Sequence, residues 1–260
     1  MSLPITDIIA TLNAWPPEIL WLALLFLCFA AAILAARFFG AAGLTAYVVV
    51  AVIGANLQVL KPVQFSVFPD PVALGTVLFA STFLATDMLA EFYGRKAARQ
   101  AVAIGFGAMV LWTGILMITL GFRPMTPDQA GDGLVWALGM HDAMGMLFTP
   151  VPALLIAGLT AYLISQYHDV WLYGLLHRLT GGRHLWVRNT GSTAVSALID
   201  TIVFSVLAWV VLAPEPLGWQ PLVFTFILGT WVLRLVVAAL DTPFLYLARW
   251  VLTDRRPAYA

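Results

Sequence analysis

Asp87 and Glu91 stand four residues apart in an otherwise apolar run, with Ser81 and Thr82 just upstream. On a helix that spacing puts both carboxylates on one face, where like charges repel. They call for a cation, a shared proton or a ligand rich in N–H donors. Glu91 also precedes Arg95 by one turn, so a plain Glu–Arg pair accounts for it equally well. A second set, Asn189, Thr193, Ser196 and Asp200, is spaced by four, three and four and forms one stripe, with Ser192 beside it. Hydroxyls alone would serve helix contacts, but an aspartate within the run points to a cavity. A third set, Thr230, Arg234 and Asp241, shares a face at spacings of four and seven. Asn56 and Gln58 add two amides, which offer donors and acceptors together.

Other chemistries find little support. Asp200 and Asp241 are the one candidate pair for an intramembrane aspartyl hydrolase, which needs a shared proton. They lack a flanking glycine motif, and Arg234 disfavours proton sharing. Neither a phosphate-cradling G-x-x-x-x-G-K-[ST] loop nor a G-x-S-x-G elbow occurs. The four histidines, His141, His168, His177 and His184, fall in expected connections without metal-ligand spacing. The single cysteine, Cys28, rules out a disulfide within the chain and a cysteine-based metal site. No enzyme activity, metal or cofactor is expected.

The positioning elements follow from composition. The chain has 260 residues, 62% hydrophobic and 10% charged, against about a quarter charged in soluble domains. So few charges cannot cover a water-facing surface, so lipid is the solvent for most of it. Seven hydrophobic runs are readable, at 18–36, 41–60, 72–91, 101–121, 148–166, 190–213 and 220–248. Each is about the length that spans a bilayer. The last tilts or breaks at Pro243. The fold class is therefore an all-α polytopic membrane protein of about seven spans, one domain over 1–260. Its partners are a bilayer and a small molecule. A net charge of zero argues against nucleic acid.

The connections carry orientation. Arg37, then Arg95, Lys96 and Arg99, then Arg178, Arg183 and Arg188, then Arg249, Arg255 and Arg256 all fall on one side of a seven-span arrangement. Lys61 and Arg123 fall on the other. The positive-inside rule then puts the N-terminus outside and the C-terminus in the cytoplasm. Residues 122–147 read as an outside loop with an interfacial segment. Residues 167–189 read as a short amphipathic helix on the cytoplasmic surface, ended by Gly181 and Gly182. The start has no basic region and carries Asp7 and Glu18, unlike a secretory signal. The small-residue pair Ala31 and Ala35 suggests helix packing.

Several separated motifs together carry a resemblance. Ala85-Thr86-Asp87-Met88-Leu89-Ala90-Glu91-Phe92-Tyr93-Gly94-Arg95-Lys96-Ala97-Ala98-Arg99 is one, with Ala55-Asn56 upstream. Ala161-Tyr162-Leu163-Ile164-Ser165-Gln166, followed by Asp169-Val170, is another. Trp186-Val187-Arg188-Asn189-Thr190-Gly191-Ser192-Thr193, with Asp200-Thr201 and Phe204, is the strongest. Arg234 with Asp241-Thr242-Pro243 and Tyr246 completes the set. Over about 41–250 the chain resembles the queuosine precursor transporter family, a group of the vitamin uptake transporters.

The resemblance implies inner-membrane uptake of 7-deazaguanine bases, the 7-cyano and 7-aminomethyl forms. It implies a six-helix core similar to the substrate-binding subunits of energy-coupling-factor transporters, with run one an N-terminal addition. It carries substrate contacts onto Asn56, Asp87, Glu91, Gln166, Asn189, Ser192, Thr193, Asp200, Arg234 and Asp241. Gly191 stands where the family often has a polar residue, which is expected to loosen the helix start. A guanine-like edge presents adjacent N–H donors that a carboxylate can accept, and Phe83, Phe204 and Trp231 offer faces for a flat ring. Which base is carried, the energy source, and whether a second copy or a coupling subunit assists are left open.

Overall fold

A computed structural model describes residues 4–66, 71–148, 152–213 and 215–252. Arg255, Arg256 and residues 149–151 at the start of the fifth run lie outside the described residues. The first described helix, α1 (Pro4–Asn13), is short and exposed.

α2 (Pro17–Gln58) contains both of the first two runs. Gly40 breaks it, with φ 64° and ψ −140°, a conformation open essentially to glycine alone. The two arms fold back on each other. Cys28 of the first arm meets the Tyr47 hydroxyl of the second. At the open end Glu18 accepts hydrogen bonds from the Ser66 amide at 2.6 Å and its hydroxyl at 2.7 Å. Near the tip a Cβ on Gly43 would stand 2.2 Å from the Ala35 carbonyl oxygen. The fully buried alanines of the first arm are Ala32 and Ala36 rather than Ala31 and Ala35.

Two short strands follow, β1 (Pro62–Val63) and β2 (Val72–Ala73), antiparallel with Pro62 opposite Ala73. α3 (Thr76–Tyr93) then runs through the middle of the molecule, buried without interruption from Ala80 to Phe92. It touches α2 and the later long helices α4, α7, α8 and α10. Gly94, at φ 89°, turns the chain into α4 (Arg95–Gly121). In the long loop, Thr126 and Gln129 cap α5 (Pro127–Ala130) reciprocally. A 3-10 turn (Val135–Ala137) leads to α6 (Met140–Phe148), which buries none of its described side chains.

α7 (Pro152–Leu179) overturns one expectation. Residues 167–179 continue the fifth span rather than lying as a separate surface helix. No proline interrupts them, and Val170 and Tyr173 are wholly buried. Gly174 leaves room there for the Arg95 side chain, which comes within 2.4 Å of where its Cβ would be. Gly181 and Gly182, at φ 58° and 75°, end the helix as expected. α8 (Leu185–Val206) starts earlier than the sixth run and continues through Gly191, which does not loosen it. It therefore takes in Arg188. A π-helical turn (Leu207–Val211) ends α8. α9 (Trp219–Pro221) and a second π-helical stretch (Leu222–Gly229) lead into α10 (Thr230–Val251), which continues past Pro243.

The packing is inverted relative to a water-soluble bundle. Leu27, Val50, Leu111, Met117, Ile118 and Phe224 are all exposed, while Asp87, Asp169 and Arg188 are buried. Only an apolar solvent makes that distribution stable. Among the described residues four helical stretches are long and apolar enough to cross a membrane: Pro17–Gln58, Arg95–Gly121, Leu185–Val211 and Trp219–Val251. α3 and α7, more polar, are packed among them. The hairpin tip approaches the start of α4, since Ala41, Ala42 and Thr45 line one cleft with Ala97 and Gln100. Arg95 lies against Gly174. Arginines 37, 95, 99 and 183 thus gather at one end of the bundle, called the basic end below.

Candidate functional site

The polar side chains of α3, α7, α8 and α10 meet in a column along the bundle. It spans about 16 Å, the rise of the eleven residues between Asn189 and Asp200 on α8.

At the basic end Glu91 meets Arg188 of α8 at 2.6 Å. Tyr173 donates to the other Glu91 oxygen at 3.0 Å. The Arg188 guanidinium also donates to the carbonyl of Gly182 at 2.9 Å, capping the glycine turn. Both members of the pair are 1% exposed. This corrects two expectations. Arg188 is a buried helix residue rather than part of a connection, and Glu91 pairs with it rather than with Arg95. The reason is reach: α8 begins one turn earlier than its apolar residues suggest, which brings position 188 beside the end of α3.

One turn further in lie Asp87 of α3 and Asp169 of α7, neither with any exposed surface. None of their four carboxyl oxygens has a hydrogen-bond partner among the described residues. The acidic neighbours of Asp87 are Asp169, Asp241 and Glu91. Asp169 also lies beside Ser192 and Ser196. Asn189 donates its amide to Asp241 at 2.7 Å and to the Thr242 hydroxyl at 3.0 Å. The Asn189 amide oxygen and the Thr193 hydroxyl are buried without a partner among the described residues. His168, expected in a connection, lies on α7 with its Nδ1 2.9 Å from the Ser196 hydroxyl. His177 also lies on α7.

Above this layer Gln166 joins α7 to α3. It donates to the Thr82 hydroxyl at 2.7 Å and accepts from Thr86 at 3.1 Å. Further still, Asp200 pairs with Arg234 and accepts from Ser165 at 2.8 Å. Both Asp200 oxygens are therefore engaged. Toward the end away from the arginines, Tyr47 donates to Ser81 at 2.6 Å. Asn56 donates to its own helix at the Val52 carbonyl at 2.8 Å and faces Gly158 and Phe204. The Trp231 indole is committed to the Ala194 carbonyl at 2.8 Å, and Phe83 is buried.

The structure thus brings Asp87, Asn189, Ser192, Thr193 and Asp241 into one neighbourhood, and Asp200 with Arg234 into another. Gln166 lies between the two. Glu91 belongs to the pair at the basic end, and Asn56 stands apart near the opposite end. Asp200 and Asp241 have different partners, which does not favour an aspartyl dyad. Asp169 is absent from the sequence-based set of contacts. Its spacing offered a signal: it follows Gln166 by three residues and Ser165 by four on one helix face.

The family described as "Putative vitamin uptake transporter" matches residues 73–248. The chain belongs to the vitamin uptake transporter family. The matched stretch holds every layer of the column from Ser81 to Asp241, while the hairpin lies upstream of it. This transporter is 31% identical over 230 residues to a Bacillus subtilis (strain 168) protein named "Probable queuosine precursor transporter", an alignment covering 88% of this chain and 93% of that one. No solved structure gives a significant match. The transporter is thus a multi-pass membrane protein whose polar column is built on the family-matched helices α3, α7, α8 and α10.

Proposed function

We propose that the transporter carries queuosine precursors, 7-deazaguanine bases with a cyano or aminomethyl substituent, inward across the cytoplasmic membrane. The observation that carries this reading is the layer of buried acceptors on α3, α7 and α8, in a chain related over most of its length to a protein named for such transport. A guanine-like base presents N–H donors on both its pyrimidine and its pyrrole side. Asp87 and Asp169 supply oxygens that no arginine, lysine or amide among the described residues occupies, and burial makes an unmet acceptor costly. Asn189, Ser192, Thr193 and Asp241 complete the lining. Gln166, Glu91 and the Asp200–Arg234 pair hold the helices at the right separation. Asn56 guards the end of the column away from the arginines.

The same reading makes the basic end cytoplasmic, with seven spans, counting the hairpin as two. The decisive experiment uses a strain that cannot make the base. Queuosine in its transfer RNA, restored by added base only when the intact protein is present, supports the assignment. Failure to restore it refutes transport of these precursors.

A further inference from the structure

The charge balance of the column narrows the ligand. Five carboxyl groups are buried in it, those of Asp87, Glu91, Asp169, Asp200 and Asp241. Arg188 takes Glu91 and Arg234 takes Asp200. Among the described residues three carboxyls remain with no cation opposite them, and an ionised group within a bilayer is disfavoured unless a counter-charge meets it. Among the described residues, the atoms of this layer without a hydrogen-bond partner are the four oxygens of Asp87 and Asp169, the amide oxygen of Asn189 and the hydroxyl of Thr193. Asn189 and Thr193 are not acids, and they are 0% and 3% exposed. The one amide donor present, Nδ2 of Asn189, is already spent on Asp241 and Thr242. Among the described residues the lining therefore offers mostly acceptors, keeps no free amide donor, and has the Thr193 hydroxyl as its one unpartnered donor. Among the described residues no group of three acidic, histidine or cysteine side chains is placed to hold a metal ion.

We propose that the layer of Asp87, Asp169, Asp241 and Asn189 is a site for a protonated primary amine. A primary ammonium has three N–H donors, one positive charge and no acceptor. A nitrile has an acceptor only, brings no positive charge to the three carboxyls, and meets a single unpartnered donor in this layer, the Thr193 hydroxyl. Resting on the transport reading above, the inference is that the transporter selects the deazaguanine bearing an aminomethyl group over the one bearing a cyano group.

The test is equilibrium binding of the two bases to the full-length protein in lipid nanodiscs. The aminomethyl base is expected to bind at least about tenfold more tightly. Asp169→Asn removes a charge from the layer and should bring the ratio below about threefold, and Asp169→Glu should retain the preference. Asp87→Asn serves as the second neutral variant if Asp169→Asn does not fold. Exchange of sodium for potassium should leave the ratio unchanged. Equal binding, or tighter binding of the cyano base, overturns the inference and leaves the transport reading standing. A preference that survives both neutral variants also overturns it, as does binding that requires sodium. If neither base binds, the transport reading falls and this inference falls with it.

Discussion

Asp87 and Asp200 are both buried aspartates of the column, yet they have opposite surroundings. Asp200 is saturated by Arg234 and Ser165, and Asp87 has no hydrogen-bond partner among the described residues. Their neutral variants should therefore separate. Asp87→Asn breaks no ion pair, and an amide is easier to bury beside Asp169 than a second carboxylate. Its melting temperature should be no lower than the parent's, while uptake at limiting substrate falls. Asp200→Asn leaves Arg234 buried without its counter-ion and should lose about 3–5 kcal/mol of stability. Thermal unfolding of the purified proteins beside uptake assays checks both. The assignment of roles is wrong if Asp87→Asn melts early and Asp200→Asn does not. Arg188→Met should cost a similar amount by stranding Glu91, and the double variant Arg188→Met with Glu91→Gln should recover part of that loss. A double variant as unstable as the single one would show that Arg188 matters through the Gly182 and Arg183 carbonyls and Tyr173 rather than through Glu91.

At the scale of elements, two glycines decide how helices meet. Gly40 reverses α2 in a backbone conformation that costs any other residue about 1–3 kcal/mol. Gly40→Ala should lower the melting temperature without changing the preference between substrates, because the tip lies outside the column. An unchanged melting curve would mean the hairpin closes equally well another way. Gly174 gives Arg95 a place against α7. A Cβ there meets the flexible Arg95 side chain rather than backbone, so Gly174→Ala should be tolerated if Arg95 is shortened at the same time, which melting of the paired variants measures.

At the scale of the whole molecule, the charge distribution predicts orientation. The arginines of the hairpin tip, the α3–α4 junction and the α7–α8 turn collect at one end, and the positive-inside rule makes that end cytoplasmic. A reporter at the N-terminus is expected outside, and one in the loop holding Arg183 is expected inside. A reporter signal from the N-terminus in the cytoplasm would remove either the first arm of the hairpin as a span or the orientation itself.

The membrane class, the helical content and nearly all the apolar runs follow from the sequence alone, because lipid demands about 20 apolar residues for each helical crossing. The stripes on α3, α8 and α10 are equally legible, since helical periodicity dictates which residues share a face. Periodicity has nothing to say about which stripe meets which. That depends on tertiary packing: Glu91 finds Arg188 across 97 positions of chain instead of Arg95 one turn away. Asp169 becomes a central residue only once α7 continues unbroken past Gln166 and turns that face toward Asp87. The sequence determines that several carboxylates lie in the membrane. The fold alone decides which are neutralised by arginine and which are left without one, because ion pairing acts over a few ångströms between helices that no local pattern brings together.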